Sequence, residues 1–160
     1  MRVQDVMTKP AAFCGLDATL AEAGGIMGKR GCGFLPVVGE GGNVIAVITD
    51  RDICIALGTR NQNSSQVLVR DVVLPKDRMV PRLYTCAPEE SIHCVVKTMR
   101  ESGVRRLPVV DREGTLQGVV SIDDLVRYAR DNADKAGVNS EEIVETCKAV
   151  HPKKPHPVAA

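Results

Sequence analysis

The sequence has few aromatic residues: two Phe, two Tyr and no Trp among 160 residues. Proteins that bind single-stranded nucleic acid stack bases on aromatic side chains, so this shortage argues against that class. A planar ligand would have to lie between aliphatic side chains and the backbone. An excess of either charge is also missing, because 21 basic and 20 acidic residues leave a formal net charge of +1. That balance argues against a general nucleic-acid or membrane-surface binder.

Long hydrophobic runs are absent as well. No apolar run approaches the ~18 residues that a membrane span needs, and the first residues, MRVQDVMTKP, lack the apolar stretch of a signal peptide. We therefore expect a soluble, cytoplasmic protein without membrane or nucleic-acid partners. The length and the 44% hydrophobic content suggest one compact domain or two very small ones.

The six cysteines include no C-x-x-C pair, which argues against a zinc ribbon or a disulfide scaffold. We expect most of them to be buried, reduced thiols. Cys14 with Cys32, or Cys147 with His151 and His156, leave a redox or metal sensor as an alternative. No Walker loop, nucleophile elbow or H-E-x-x-H pattern occurs, and three histidines give acid–base catalysis few candidates. We predict no catalytic and no metal site.

The chain contains one pattern twice, at an offset of 72 residues. LPVVGEGGNVIAVITDRD occupies residues 35–52 and LPVVDREGTLQGVVSIDD occupies residues 107–124. Each copy predicts a short extended segment, a helix, two strands around a Gly-containing turn, and a second helix. The predicted strands cover residues 34–38 and 44–48, then 106–110 and 116–120. The fold class is therefore α+β, with two β-α-β-β-α halves related by a pseudo-two-fold axis and packed into one module.

We place the first repeat at residues 2–58, a connector at 59–70 and the second repeat at 71–131. The stretch 71–82 has no counterpart of matching length in the first half. A C-terminal helix and a disordered tail are expected over 132–160, because Asn139 and Glu142 have capping spacing and HPKKPHPVAA is rich in proline.

Both repeats end their second strand with a hydroxyl that is followed three residues later by an aspartate, Thr49 with Asp52 and Ser121 with Asp124. Such a pair caps a helix, which alone would explain the spacing. The same helix start also offers free N–H groups to a phosphate, and a carboxylate can accept both hydroxyls of a ribose. The spacing leaves both interpretations open.

These motifs resemble a tandem pair of CBS (cystathionine beta-synthase) domains, often called a Bateman module. The resemblance covers roughly residues 2–130 and rests on DVMT at 5–8, on GFLPVV with VIAVITDRDI, and on VRRLPVV with LQGVVSIDDL. It implies a homodimer and the binding of an adenosine compound: AMP, ADP or ATP first, with NAD and S-adenosylmethionine as further candidates.

The resemblance also implies where the ligand contacts lie. In the family, the hydroxyl–aspartate segment contacts sugar and phosphate, and members that bind AMP often carry a basic pair before LPVV. The first repeat departs from this pattern, with Gly33 and Phe34 at the basic positions and Ala46 where the family usually has Gly; Arg51 would partly compensate. The implied ligand-binding residues are Thr49, Arg51, Asp52, Arg105, Arg106, Ser121 and Asp124.

The implied function is a stand-alone regulatory module that needs no cofactor and reports an adenine nucleotide to an unidentified protein partner. The alternative is a protein-interaction or dimerisation module with degenerate ligand pockets, which Gly33 and Ala46 favour.

Overall fold

The computed structural model describes residues 1–75, 82–131 and 140–150. A 3-10 turn at Val3–Asp5 comes first. The strands and longer helices follow as β1 (Cys14–Gly15), α1 (Leu20–Arg30), β2 (Phe34–Val38), β3 (Val44–Thr49), α2 (Asp50–Arg60), α3 (Val69–Val73), α4 (Ile92–Ser102), β4 (Arg106–Val110), β5 (Leu116–Ser121), α5 (Ile122–Asp131) and α6 (Ser140–Val150).

The first repeat is a three-stranded sheet with α1 and α2. β1 runs parallel to β2, and β2 pairs antiparallel with β3. α1 begins with a capping box, in which the Thr19 hydroxyl accepts from the Glu22 amide and the Glu22 carboxylate accepts from the Thr19 amide. This satisfies donors that would otherwise lack partners at the helix start.

The second repeat has the same arrangement. β4 pairs antiparallel with β5, and Cys86 bridges to Val109 in parallel, in the place that β1 has in the first repeat. β3 and β5 are each one residue longer than the sequence predicts. Thr49 still pairs with Phe34, and Ser121 with Arg106. The buried face of α4 consists of Ile92, Val95, Val96 and Met99, at the i, i+3, i+4, i+7 spacing of one helical face.

Each hydrophobic core includes a short segment from outside its own α-β-β-α unit. Val3 is buried in the core of the second repeat, whereas Val69 and Val73 belong to the core of the first. Both segments read V-x-D-V, and the aspartate of each, Asp5 or Asp71, accepts a backbone N–H three residues earlier. The residues that open the stretch 71–82 therefore do have a counterpart near the N-terminus, at a shorter offset than 72.

The last described helix, α6, lies on α4 and α5. Ile143 and Val150 are buried in the second core, and His93 Nδ1 on α4 lies 3.1 Å from Glu142 Oε2 on α6. The predicted C-terminal helix is thus present from Ser140 to Val150. Its proposed cap Asn139 and the tail predicted to be disordered, residues 151–160, lie outside the described residues.

The two repeats contact each other through their hairpin turns. The Val44 amide donates to the Gly114 carbonyl at 2.9 Å, and Asn43 bridges to Thr115. Asn43 and Thr115 occupy equivalent positions at an offset of 72, so equivalent positions of the two repeats meet at this contact. The predicted α+β class with two packed repeats is confirmed.

The cysteines are less buried than the sequence suggests. Cys14 and Cys86 are buried at equivalent positions beside the central strands, and burial raises the pKa of their thiols to about 11 and about 12. Cys54 and Cys94, however, are exposed, so the expectation of a buried thiol is wrong for them. Each lies on the solvent-facing side of its helix, and the opposite side of that helix contributes to the core. Apolar neighbours in the sequence do not show on which side of a helix a residue lies.

Candidate functional site

The first candidate site begins where β3 ends and α2 starts. Thr49 Oγ1 accepts from the Asp52 amide at 3.2 Å, and Asp52 Oδ2 accepts from the Thr49 amide at 2.9 Å and its hydroxyl at 2.6 Å. The pair is therefore a reciprocal helix cap. In these three hydrogen bonds the acceptor is either Thr49 Oγ1 or Asp52 Oδ2. Both residues are half-buried.

The second candidate site repeats this cap at the β5–α5 junction. Asp124 Oδ2 accepts from the Ser121 amide at 2.9 Å and its hydroxyl at 2.5 Å, and the Asp124 amide donates to Ser121 Oγ at 3.1 Å. The N-terminal segment adds a further group here. Thr8 pairs with Val119 on β5, and its hydroxyl donates to Asp124 Oδ1 at 3.2 Å. Both carboxylate oxygens of Asp124 are thus engaged.

Each cap faces an open cleft that both repeats line. The cleft at Thr49, here the Thr49 cleft, has a volume of about 190 Å³. The cleft at Ser121, here the Ser121 cleft, has a volume of about 340 Å³, at the small end of the range for ligand pockets. The Thr49 cleft is lined by Phe34, Val47, Thr49, Arg82, Tyr84, Val104, Arg105, Arg106, Leu107 and Pro108.

The Ser121 cleft is the pseudo-symmetric counterpart of the Thr49 cleft. Val119 and Ser121 correspond to Val47 and Thr49 at an offset of 72, and Phe34 and Arg106 exchange places and line both clefts. Each cleft therefore combines the strand end of one repeat with the loop that precedes the first strand of the other. The Ser121 cleft is lined by Thr8, Pro10, Ala11, Ala12, Arg30, Gly31, Cys32, Phe34, Arg106, Val119, Ser121, Asp123 and Asp124.

The structure distributes the expected ligand residues unevenly. The basic pair adjoins LPVV of the second repeat, yet Arg105 lines the cleft of the first hydroxyl, Thr49, and Arg106 lines both clefts. Asp124 lines the Ser121 cleft, whereas Asp52 is not among the residues that line the Thr49 cleft. Arg51 is exposed at the start of α2 and lines neither cleft.

Sequence reasoning missed several lining residues, including Thr8, Arg30, Arg82, Tyr84 and Asp123. Arg82 and Tyr84 are the offset-72 counterparts of Pro10 and Ala12, which line the other cleft, but neither loop carried a motif that marked it as part of a site. The contribution of Thr8 could not be predicted from spacing, since it depends on the N-terminal segment running along the strand of the other repeat.

Electrostatics differ within the clefts. The Arg106 guanidinium lies 3.7 Å from the Asp123 carboxylate, an ion pair at the Ser121 cleft. In the Thr49 cleft the Arg82 guanidinium lies over the Tyr84 ring, 5.3 Å from its centroid. Such a cation–π contact orients the guanidinium while leaving its N–H groups able to donate.

Residues 1–75, 82–131 and 140–150 contain no group of three or more His, Cys, Asp or Glu side chains arranged to hold a metal ion. The hypothesis of a site at Cys147 with His151 and His156 cannot be placed, because both histidines lie outside the described residues. In the same described part of the chain, no helix is long and apolar enough to cross a membrane.

The CBS domain family matches residues 3–59 and 69–131, so the chain belongs to the CBS domain family. The chain is 32% identical over 123 residues to the CBS domain-containing protein YhcV of Bacillus subtilis, a match that covers 77% of this chain and 81% of YhcV. It is also 32% identical over 101 residues to the uncharacterized protein MK0525 of Methanopyrus kandleri, covering 63% of this chain.

Other relatives are much longer than the matched region. The chain spans 48% of MK0525. It spans 23% of a homoserine O-acetyltransferase from Methanococcoides burtonii, to which it is 30% identical over 125 residues, or 78% of this chain. The CBS pair is thus one part of some relatives and most of others.

Solved structures share the fold. The CBS domain pair of protein MJ0100, in complex with 5′-methylthioadenosine and S-adenosyl-L-methionine, superposes with a TM-score of 0.68 at 23% identity and covers 82% of this chain and 98% of that one. The CBS domain protein PAE2072 from Pyrobaculum aerophilum, complexed with AMP, gives a TM-score of 0.68 at 19% identity and covers 92% and 99%. Related CBS pairs therefore bind adenosine-containing ligands.

Proposed function

We propose that the chain is a non-enzymatic regulatory module that binds an adenosine-containing nucleotide, with AMP, ADP or ATP as the first candidates, in the Thr49 and Ser121 clefts. The observation that carries this proposal is the pair of equivalent clefts, each with a capped helix start and an arginine from the neighbouring repeat at its edge. The AMP complex of PAE2072 and the 5′-methylthioadenosine complex of MJ0100 support the ligand class.

The chemistry of each cleft suits a nucleoside. Aliphatic side chains such as Val47 and Val119 would flank the base, together with the aromatic rings of Phe34, which lines both clefts, and Tyr84, which lines the Thr49 cleft. The carboxylates of Asp52 and Asp124 would accept from ribose hydroxyls. At Asp52 the recorded bonds leave Oδ1 for this role, whereas at Asp124 the ribose would replace the Thr8 hydroxyl on Oδ1. Guanidinium groups would donate paired hydrogen bonds to phosphate oxygens.

A ligand in either cleft would touch both repeats and so favour one relative orientation of them. Within a homodimer, a protein partner would sense that orientation. The ligand must bind one orientation more tightly than the other for this to work, because equal affinity for both shifts nothing.

The test is a calorimetric titration of the protein with AMP, ADP, ATP, NAD and S-adenosylmethionine, supported by thermal-shift measurements. A ligand at about 100 times its dissociation constant should stabilise the folded state by about 2.7 kcal/mol. Asp52→Ala and Asp124→Ala should each weaken binding. The matched control is Glu22→Ala, which removes an equivalent capping carboxylate at α1, away from both clefts.

Saturable binding that either aspartate variant weakens, and that Glu22→Ala preserves, supports the proposal. The small volume of the Thr49 cleft and the absence of Asp52 from its lining favour the second candidate, an interaction or dimerisation module with degenerate pockets. If folded, ligand-free protein bound none of the five compounds, the second candidate would replace the first.

A further inference from the structure

The two clefts are formed by equivalent elements of the two repeats, but they differ in charge. Two changes lie in the loop before the first strand of each repeat, where Arg82 and Tyr84 in the Thr49 cleft correspond to Pro10 and Ala12 in the Ser121 cleft. A third concerns Arg105, which lines the Thr49 cleft, while its counterpart Gly33 contributes no side chain. Arg82 and Arg105 make the Thr49 cleft more cationic, whereas Arg30 of the Ser121 cleft, whose counterpart is Ser102, acts in the opposite direction.

Position 33 is crowded by the exposed side chain of Asp50, which is free to move. A Cβ atom at Gly33 would collide with the carboxylate of Asp50, which lies against the glycine backbone. Gly33 is flanked by Cys32 and Phe34, both of which line the Ser121 cleft. The Ser121 cleft therefore has no guanidinium at the position equivalent to Arg105, and Asp50 itself lines neither cleft.

The acidic residues reinforce this difference. Asp123 and Asp124 line the Ser121 cleft together with Arg30 and Arg106. The recorded ion-pair partner of Arg106 is Asp123, which draws its charge toward a carboxylate of this cleft. Among the described residues that line the Thr49 cleft there are three arginines and no carboxylate. A phosphate would thus meet attraction in one cleft and nearby negative charge in the other.

Building on the proposed function, we infer that the two clefts sort adenosine ligands by the charge of the 5′ substituent. The Thr49 cleft binds phosphorylated adenosine compounds, and the Ser121 cleft binds those whose 5′ substituent is neutral or positive. One chain would then respond to two chemically different signals, and Arg106, which borders both clefts, would transmit occupancy of one to the other.

The sharpest pair of probes is AMP and 5′-methylthioadenosine, because they share adenosine and differ at the 5′ position in a phosphate or a neutral thioether. Calorimetry should find one high-affinity site for each, and each should still bind when the other is saturating. Asp52→Ala should weaken AMP and spare 5′-methylthioadenosine, and Asp124→Ala should do the reverse. Raising the salt concentration should weaken AMP much more than 5′-methylthioadenosine.

Charge variants test the cause. The double variant Arg82→Gln, Arg105→Gln should weaken AMP by about 10-fold or more while leaving 5′-methylthioadenosine unchanged. Asp123→Lys should let a second equivalent of AMP bind. The control is Arg112→Gln, which removes an exposed arginine in the β4–β5 turn that lines neither cleft. Melting temperatures of these charge variants should stay close to that of the unaltered protein, because Arg82, Arg105, Asp123 and Arg112 are exposed.

The outcomes separate the two proposals. If both probes bind but compete for the same sites, or if the arginine variant weakens both equally, sorting by charge is overturned while nucleotide binding stands. If neither probe, nor S-adenosylmethionine or ATP, binds to the folded protein, the proposed function fails and the sorting fails with it.

Discussion

Gly118 lies where the backbone of the N-terminal segment crosses β5. A Cβ atom there would lie 2.8 Å from Met7 Sδ and 3.0 Å from the Thr8 carbonyl oxygen. The backbone oxygen cannot swing away as a flexible side chain can. Gly118→Ala should therefore lower the free energy of unfolding by about 1–3 kcal/mol, as overpacking does elsewhere. Urea denaturation measures this, and faster hydrogen exchange at Thr8 and Val119 would locate the damage.

The matched control is Gly24→Ala in α1, where no atom beyond the adjacent residues and the backbone of the helix itself lies within 4 Å of the added Cβ. A glycine inside a helix costs about 0.5–1 kcal/mol relative to alanine, so this variant should be more stable than the unaltered protein. Equal stability of Gly118→Ala and the unaltered protein would mean that the N-terminal segment does not hold its position on β5.

At the residue scale, the sequence predicted the helix caps that occur in both repeats, and it missed the contacts between one repeat and the other. The Thr49–Asp52 and Ser121–Asp124 caps follow from local spacing and are present as expected. The cleft that Arg105 lines does not follow from spacing. Arg105 belongs to the same repeat as Ser121, yet it lines the cleft at Thr49 of the other repeat. Local patterns fix helix starts, whereas a site shared between repeats depends on how they pack.

At the element scale, α6 is a helix that lies outside both repeats. Ile143 is 7% exposed in the second core, while Val144, its neighbour on the same helix, is 51% exposed. Ile143→Ala should therefore cost about 2–5 kcal/mol, because it removes buried methyl groups and leaves a cavity. Val144→Ala should change stability by less than about 0.5 kcal/mol. Thermal or urea unfolding of the two variants compares them directly.

Equal, small effects of both substitutions would show that α6 is not part of the folded core in solution. The sequence predicted that this helix exists, from the capping spacing of Asn139 and Glu142. It could not predict where the helix packs, since the apolar faces of α4 and α5 could equally have been covered by a second chain.

At the scale of the whole molecule, the two cores are joined by segments that run from one repeat into the other. Val3 lies in the second core, Val69 lies in the first, and the hairpin turns meet at Val44 and Gly114. Unfolding either repeat would therefore expose apolar surface of the other. We expect a single cooperative transition, even though the family pattern divides the chain into two repeats.

The position of the two tyrosines allows a direct test, because Tyr84 and Tyr128 both belong to the second repeat and the chain has no tryptophan. Leu35 and Leu107 are equivalent and fully buried, one in each core. Leu35→Ala should shift the tyrosine fluorescence transition as far as the circular dichroism transition, by about 2–5 kcal/mol, although no tyrosine lies in its repeat. Leu107→Ala should do the same. If Leu35→Ala shifted the circular dichroism alone, the repeats would unfold independently, and ligand bound in a shared cleft would then be the main link between them.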